Sequence, residues 1–234
     1  MSAIRDEQNK SEIQKAPEMI GAFVQKNRRP IFIGLIVVIA ALVLLIIGIT
    51  VKDKLTEKAM IRVDELNRRY EESKNYDNID GVDAILGQAD ITILLLELEE
   101  FAKKSTGFPA AKAYSISAEI FGEQKNWKDS ENAWLNGAKS AGKSYFAPVC
   151  FFNAAVAAEE QGNTEAAIEH YRKALELGDY FPAAARAQFS IGRLEESGGN
   201  RTAALEAYAN LVGKWPDDPV WANLAQSRII VLSE

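Results

Sequence analysis

Two residues have side chains that often take part in catalysis or metal binding, the single histidine His170 and the single cysteine Cys150. Histidine transfers protons or binds metal ions near neutral pH, and a cysteine thiolate acts as a nucleophile. Both roles need a partner, and no acid or nucleophile accompanies His170 at a recognised spacing. Cys150 lies in the apolar stretch PVCFFNAAVAA, which favours a buried, inert thiol. We therefore predict no catalytic residue and no enzymatic activity.

The other polar residues form no recognised catalytic or metal-binding motif. The sequence has no glycine-rich phosphate-binding loop, no paired cysteine or histidine ligands and no nucleophile elbow. A calcium site would need oxygen ligands on a tight loop, so acidic doublets in helical sequence are expected to be solvated helix faces. These doublets are Glu99-Glu100, Glu159-Glu160 and Glu195-Glu196. We predict no metal site and no cofactor.

Composition and charge narrow the classes of partner. The chain has 234 residues, of which 47% are hydrophobic and 26% charged, as in ordinary folded proteins of one or two domains. Its net charge of -6 argues against nucleic acid, because duplex binding needs a concentrated basic face. One cysteine allows no intrachain disulfide.

Residues 31–51, IFIGLIVVIAALVLLIIGITV, contain no charged or amide side chain. A helix of that length spans about 30 Å, the thickness of the hydrocarbon core of a bilayer. The alternative is a cleaved signal peptide, which would be shorter, lie nearer the start and end in a small-residue cleavage site. The segment therefore predicts a transmembrane helix.

The charges on the two flanks of this segment do not decide its orientation. The cations nearest to it are Lys26, Arg28 and Arg29 before it, and Lys52, Lys54, Lys58 and Arg62 after it. The positive-inside rule counts these groups as nearly equal. We expect a short cytoplasmic tail over residues 1–30. The helical spacing of Ile20, Phe23 and Val24 in this tail makes a short interfacial helix an open alternative. The C-terminal domain is then expected on the exported side.

Amphipathic helices are predicted between the span and residue 108. Leu55, Ala59, Val63, Leu66 and Tyr70 recur at steps of three and four residues, which places them on one helix face. The apolar run from Ile91 to Leu98 is too short to cross a bilayer. It predicts a well-buried helix, with a buried strand as the alternative.

A 37-residue repeat follows, seen first in the aromatic residues Trp134, Tyr171 and Tyr208. Small residues recur on the same period, which lets two antiparallel helices approach closely while the aromatic fills the space towards the next unit. A proline stands near the start of each unit, where a missing N–H costs nothing. The residues predicted to pack the repeats are Ala118, Ser130, Trp134, Ala155, Ala167, Tyr171, Ala174, Gly192, Ala204 and Tyr208.

The predicted fold is all-α, a single transmembrane helix followed by an α-solenoid of helical hairpins with a C-terminal capping helix. One hairpin cannot bury its own apolar stripe, so about three must stack and an atypical helix must close the array. The predicted divisions are the tail 1–30, the span 31–51, juxtamembrane and packing helices 52–108, three repeats 109–218 and the cap 219–234.

The repeat unit resembles the tetratricopeptide repeats. GNTEAAIEHYRKALEL, residues 162–177, is similar to the second helix of their consensus, and the resemblance covers residues 109–218. Departures are the period of 37 instead of the usual thirty-four and the Ser130 and Gly137 that replace alanines in the first unit. The extra residues are expected in turns such as GAKSAGKSYF.

The resemblance implies a concave groove lined by the first helix of each unit. The residues predicted to line it are Lys112, Ser115, Glu119, Val149, Phe152, Val156, Arg186, Phe189 and Arg193. Phe152 and Phe189 occupy equivalent places and either anchor a bound peptide or pack between helices. Phenylalanine at these two sites argues against the clamp by which some repeats hold a C-terminal dicarboxylate.

The whole chain is similar in architecture to the YfgM-like family, ancillary subunits of the bacterial SecYEG translocon. That resemblance implies a single-pass inner-membrane protein with periplasmic repeats, working beside SecYEG and a membrane-anchored chaperone or prolyl isomerase. We predict a non-enzymatic, membrane-tethered adaptor for protein–protein interaction in the bacterial envelope, with no small-molecule substrate. The alternative is a structural scaffold in an envelope machine such as a flagellar or outer-membrane assembly complex.

Overall fold

A computed structural model describes residues 25–74, 82–178 and 181–234, except the side chains of residue 31 and residues 82–88. Regular structure in these ranges is entirely helical, without a strand, which confirms the predicted all-α fold. The expected interfacial helix at Ile20, Phe23 and Val24 lies outside the described residues.

The longest described helix, α1 (Arg28–Ser73), contains the apolar segment. It starts just before Pro30, where the fixed φ of proline suits the first helical turn. The segment has a length and composition sufficient to cross a membrane, and no part of that apolar window is buried. The chain divides into two compact units after Glu57, so the last part of α1 belongs to the second unit.

The second unit begins with a small core formed by the end of α1, helix α2 (Val82–Lys104) and the helix that follows α2. Leu66 and Tyr70 of α1 pack there with Leu94 and Leu98 of α2. The well-buried helix predicted from Ile91 to Leu98 is helical but only half buried, because the side chains at positions 93 and 96 are 50% and 63% exposed. Apolar side chains of the run lie on more than one face of the helix, interrupted by Thr92 and Glu97, but only one of these faces has neighbouring helices.

Three helical hairpins and a final helix form the rest of the second unit. Their bounds are α3 (Phe108–Glu123), α4 (Trp127–Ala141), α5 (Phe146–Glu160), α6 (Thr164–Leu177), α7 (Ala184–Ser197), α8 (Arg201–Lys214) and α9 (Trp221–Ser233). The second helices of the hairpins begin at residues 127, 164 and 201, a constant spacing of 37 residues. Each helix packs on the next in the chain, as in a tetratricopeptide-like solenoid.

The turn inside each hairpin uses the same backbone geometry. Gly162 and Gly199 have φ of 73° and 79°, a left-handed conformation that glycine adopts without steric cost. The equivalent residue of the first hairpin is Lys125, with φ of 59°. An asparagine follows each of these residues and precedes the second helix, and Asn163 accepts a hydrogen bond from the backbone N–H of Ala166.

Small residues allow the two helices of each hairpin to approach closely. Ser130 stands where the later repeats have alanine, and its buried hydroxyl donates a 2.8 Å hydrogen bond to the carbonyl of Ala118. The polar substitution is therefore accommodated without an unsatisfied group. All ten residues expected to pack the repeats are buried.

Candidate partner-binding site

An open cleft of about 520 Å³ lies where α3 and α5 begin and α6 ends. Pro109 stands at the start of α3 and Pro148 in the first turn of α5. The α4–α5 loop connects the hairpins on this side, and Gly142 begins that loop with φ of 62°. The cleft is lined by Phe108, Lys112, Lys143, Ser144, Tyr145, Phe146, Pro148, Val149, Leu177, Gly178, Phe181 and Pro182.

Three aromatic rings form a cluster on one side of this cleft. The ring centroid of Phe108 lies 6.0 Å from that of Tyr145 and 5.2 Å from that of Phe146. Tyr145 and Phe146 are 6.4 Å apart in an edge-to-face arrangement. Tyr145 is nevertheless 75% exposed, so a ring held by its neighbours still offers most of its surface to a partner.

The charged residues of the cleft are two lysines. Lys112 extends from the second turn of α3, and Lys143 lies in the α4–α5 loop. Neither ammonium group forms an ion pair with any residue in the described ranges. The cleft therefore combines aromatic and aliphatic surface with two lysines that have no ion-pair partner among the described residues, in a chain whose net charge is -6.

The structure brings only two of the nine predicted groove residues, Lys112 and Val149, into this cleft. Ser115 does not face outward as expected, since it is 1% exposed and its hydroxyl donates to the carbonyl of Lys112 within the helix. Val156 and Glu119 are half-buried, and burial raises the pKa of the Glu119 carboxyl. Whether any of the nine contacts a partner stays a prediction.

Phe152 lies in the core, which is the second of the two alternatives weighed from the sequence. It is 6% exposed, and its ring centroid lies 5.4 Å from that of Tyr171 and 6.2 Å from that of Phe181. The exposed Arg186 guanidinium stands 5.3 Å from the Phe152 ring centroid and covers its outer face. Phe189 is half-buried and packs with Tyr208 and Trp221.

Glu159, Glu195 and Glu196 are held in contacts with other residues, which corrects the expectation that their doublets form solvated faces, whereas Glu160 is exposed. Tyr171 donates a 2.7 Å hydrogen bond to Glu159, and Arg193 of the next hairpin pairs with the same carboxylate. Arg193 is thus an inter-repeat contact as well as an exposed residue. Tyr208 and Glu196 repeat this arrangement at 2.9 Å.

The third hairpin shows why spacing alone could not reveal these contacts. Arg228 of α9 pairs with Glu196, as Arg193 of the next hairpin pairs with Glu159. Glu195, 9% exposed, accepts hydrogen bonds from Arg172 at 2.9 Å and Asn200 at 3.0 Å. Most of these partners lie on other helices, so the sequence of the helix that contains a doublet does not reveal them.

The two residues with the most reactive side chains are both buried. His170 Nε2 lies 2.9 Å from an oxygen of Glu131, an acid that sequence spacing did not connect with it because 39 positions separate them. Gln161 donates a 2.6 Å hydrogen bond to the other oxygen of Glu131, so the group serves as a polar contact between hairpins. Burial raises the pKa of the Cys150 thiol to about 12, so the nucleophilic thiolate is scarce at neutral pH.

No group of three or more His, Cys, Asp or Glu residues in the described ranges is arranged to hold a metal ion. The side chains around the cleft are apolar, aromatic, hydroxyl or lysine groups. Such a lining can bind a partner by burial, ring contacts and charge, which are the interactions that dominate protein interfaces.

Comparison with known proteins identifies the repeat. Residues 152–219 match the family model described as Tetratricopeptide repeat. A "TPR repeat-containing protein" of Treponema pallidum (strain Nichols) is 32% identical over 224 residues, covering 92% of this chain and 93% of the relative. The chain belongs to the tetratricopeptide repeat family. Among solved structures it is similar to the crystal structure of BtubC (BKLC) from P. vanneervenii, at 14% identity and a TM-score of 0.43, covering 66% of this chain and 72% of that chain.

Tetratricopeptide repeats mediate contacts with other proteins, and their stacked hairpins provide extended binding surfaces. In this tetratricopeptide repeat protein, sequence reasoning missed the aromatic residues of the cleft. Tyr145 and Phe146 belong to the GAKSAGKSYF stretch, which was expected only to accommodate the extra length of the repeat. The available signal was the presence of Lys143, Tyr145 and Phe146 at the connection between two hairpins, since loops often carry binding residues.

Proposed function

We propose that this protein is a non-enzymatic, membrane-tethered adaptor whose repeats recruit another protein of the bacterial envelope. The observation that carries the proposal is the cleft beside Tyr145, where exposed aromatic surface adjoins two lysines that have no ion-pair partner among the described residues. Membership of the tetratricopeptide repeat family supports a protein as the partner.

The apolar segment 31–51 serves as the tether in this proposal. Its length and its apolar side chains, none of which is buried, suit a lipid environment. Confinement to a membrane raises the effective concentration of the repeats near other membrane proteins, so a weak contact in the cleft is occupied more often. A membrane anchor and a modest cleft therefore complement each other.

We further propose that residues 1–30 are cytoplasmic and that the packing helices 52–108, the repeats 109–218 and the cap 219–234 lie in the periplasm. This orientation rests on the similarity in architecture to the YfgM-like family. Alkaline phosphatase fused after Glu234 should be active in cells, because the enzyme matures only outside the cytoplasm. Fluorescence from a GFP fusion at the same place, without phosphatase activity, would reverse the orientation.

The proposed partners are the SecYEG translocon and a membrane-anchored periplasmic chaperone. A photo-crosslinking amino acid at Tyr145 would trap whatever occupies the cleft in living cells. The same amino acid at Lys128, an exposed residue of α4 outside the cleft lining, provides the control. Adducts are identified by mass spectrometry.

A crosslink from position 145 to a SecY-type channel subunit or to an anchored chaperone, absent at position 128, would support the adaptor. Crosslinks only to flagellar or outer-membrane assembly components would favour the structural scaffold instead. No position-specific protein adduct at 145 would refute recruitment through the cleft. Retention of the protein in the soluble fraction after cell lysis would refute the tether.

A further inference from the structure

The cleft at Tyr145 has a composition that selects among protein partners. We propose that it binds a peptide segment in which an aromatic side chain stands next to carboxylate side chains. This inference rests on the proposed adaptor function and specifies the chemistry of the segment recognised.

The size and shape of the cleft favour a short segment with one large side chain. Its volume of about 520 Å³ is within the range of pockets that enclose small ligands, about 300–1,000 Å³. Phe108 and Phe146 form one side, and the buried Phe181 and half-exposed Leu177 lie on the lining as well. An aromatic side chain that enters this space can contact rings edge-on while burying a large apolar area.

Tyr145 is the best placed of the lining residues to hold such a side chain. Its ring is constrained by two aromatic neighbours, 6.0 and 6.4 Å away, so little conformational freedom is lost on binding. Because it is 75% exposed, most of the area that a partner could cover is still available. Rigid tyrosines of this kind are frequent among residues that dominate binding energy.

The charges indicate what flanks the aromatic side chain. Lys112 and Lys143 are the charged residues of the lining, and neither has an ion-pair partner in the part of the chain that the structure describes. A carboxylate on the bound segment would provide one, whereas a lysine or arginine there would be repelled. Charge complementarity of this kind determines specificity more than affinity.

Two other polyanionic partners fit the cleft less well. A single-stranded nucleic acid would stack on aromatic rings, but it carries a negative charge at every nucleotide and the protein has a net charge of -6. An anionic membrane surface is flat and would not fill a concave cleft. Both are included as outcomes of the experiment.

The test uses the full chain in detergent micelles and fluorescein-labelled heptapeptides measured by fluorescence anisotropy. The first probe has Trp between Glu and Asp, with Gly and Ser at both ends. The second replaces the two acids by lysines, and the third replaces the Trp by alanine. We expect the first probe to bind at least about tenfold more tightly than either of the others, the size of effect typical of a hot-spot contact or a close charge pair.

Substitutions in the cleft identify the side chains that bind the acidic probe. Lys112→Glu with Lys143→Glu should weaken the acidic probe at least tenfold and improve binding of the lysine probe. Tyr145→Ala should weaken the acidic probe about tenfold while lowering the melting temperature by no more than about 4 °C, because most of the side chain is exposed. The matched control is Lys128→Glu with Lys139→Glu, two exposed lysines of α4 outside the cleft, which should change binding less than twofold.

Equal binding of the three probes, or an effect of the control variant as large as that of the cleft variant, would overturn the inference. So would lysine-dependent binding of an oligothymidine or of phosphatidylglycerol vesicles that exceeds binding of the acidic probe. If position 145 forms a specific protein crosslink but peptides of different charge bind equally, only this inference is rejected and the proposed adaptor function is retained. Absence of the crosslink would instead reject the adaptor.

Discussion

Gly192 of α7 lies so close to the ring of Tyr208 in α8 that a Cβ at Gly192 would stand 2.5 Å from Tyr208 Cε1. The equivalent residues of the other hairpins are Ala118 and Ala155, which are buried as well. The third hairpin therefore packs its helices more closely than an alanine would permit at this place.

Gly192→Ala should destabilise the protein by about 1–2 kcal/mol. Overpacking of a well-packed core costs about 1–3 kcal/mol, and replacing a helical glycine by alanine returns up to about 1 kcal/mol. The matched control is Gly213→Ala, also helical, where a Cβ meets no atom within 4 Å. It should be neutral or stabilising, as judged by urea unfolding in detergent followed by circular dichroism. A stabilising Gly192→Ala variant would contradict the observed packing.

Lys125→Gly should stabilise the first hairpin. Lys125 holds φ of 59°, a conformation that costs a residue with a Cβ about 1–2 kcal/mol and that glycine adopts freely. The other hairpins place Gly162 and Gly199 at the same point of the turn, so the reciprocal control is Gly162→Lys, which should lose a similar amount. Thermal melts of both variants measure the effect, and a loss of stability in Lys125→Gly would refute a shared turn geometry.

Phe152→Ala should cost about 3–5 kcal/mol of unfolding free energy, as expected for removing a large aromatic side chain from a core. The residue is 6% exposed and contacts Tyr171 and Phe181. Tyr145→Ala removes an aromatic residue that is 75% exposed and should cost less than about 1 kcal/mol. Urea titrations compare the two variants. Equal stabilities would mean that Phe152 does not belong to the core.

Glu196→Gln should lower the melting temperature more at pH 7 than at pH 3. The hydrogen bond from Arg228 holds the pKa of the Glu196 carboxyl below its ordinary value; burial acts against this shift, and the Tyr208 hydroxyl contributes to it. A lowered folded-state pKa adds stability above the unfolded-state pKa of about 4.3, and that stability is lost as the pH falls through the folded-state value.

The control for Glu196 is Glu206→Gln, on the exposed face of α8 and without an ion pair to any described residue. Melting temperatures of both variants and the unaltered protein are measured between pH 3 and pH 7. The difference for position 196 should shrink towards acid, while position 206 should show little difference throughout. A difference at position 196 that is as large at pH 3 as at pH 7 would point to packing in place of charge.

Much of the fold could be predicted because helical periodicity is local. The register of Trp134, Tyr171 and Tyr208 placed the second helix of each hairpin, and those helices begin 37 residues apart. The helix over Ile91 to Leu98 was also predicted, but its exposed side was not, because exposure depends on neighbouring helices and not on the composition of the run.

The position of the candidate site was not predicted. The resemblance to tetratricopeptide repeats implied a groove with Lys112 and Val149 among its lining residues, and these two line the observed cleft. Phe152 has an equally suitable register, but it is covered by Tyr171, Phe181 and Arg186. The cleft itself depends on how the α4–α5 loop folds over the starts of two helices, which no periodicity describes.

The sequence by itself determined the class of this protein: an apolar segment of membrane-spanning length, and repeated amphipathic helices that must stack to bury their stripes. Both properties follow from the order of side chains along single helices. Only the tertiary structure decided which of those side chains stay accessible. It joined Glu159 to Arg193 and enclosed Phe152 while leaving Tyr145 exposed, because burial and ion pairing depend on residues that are distant in the chain and adjacent in space.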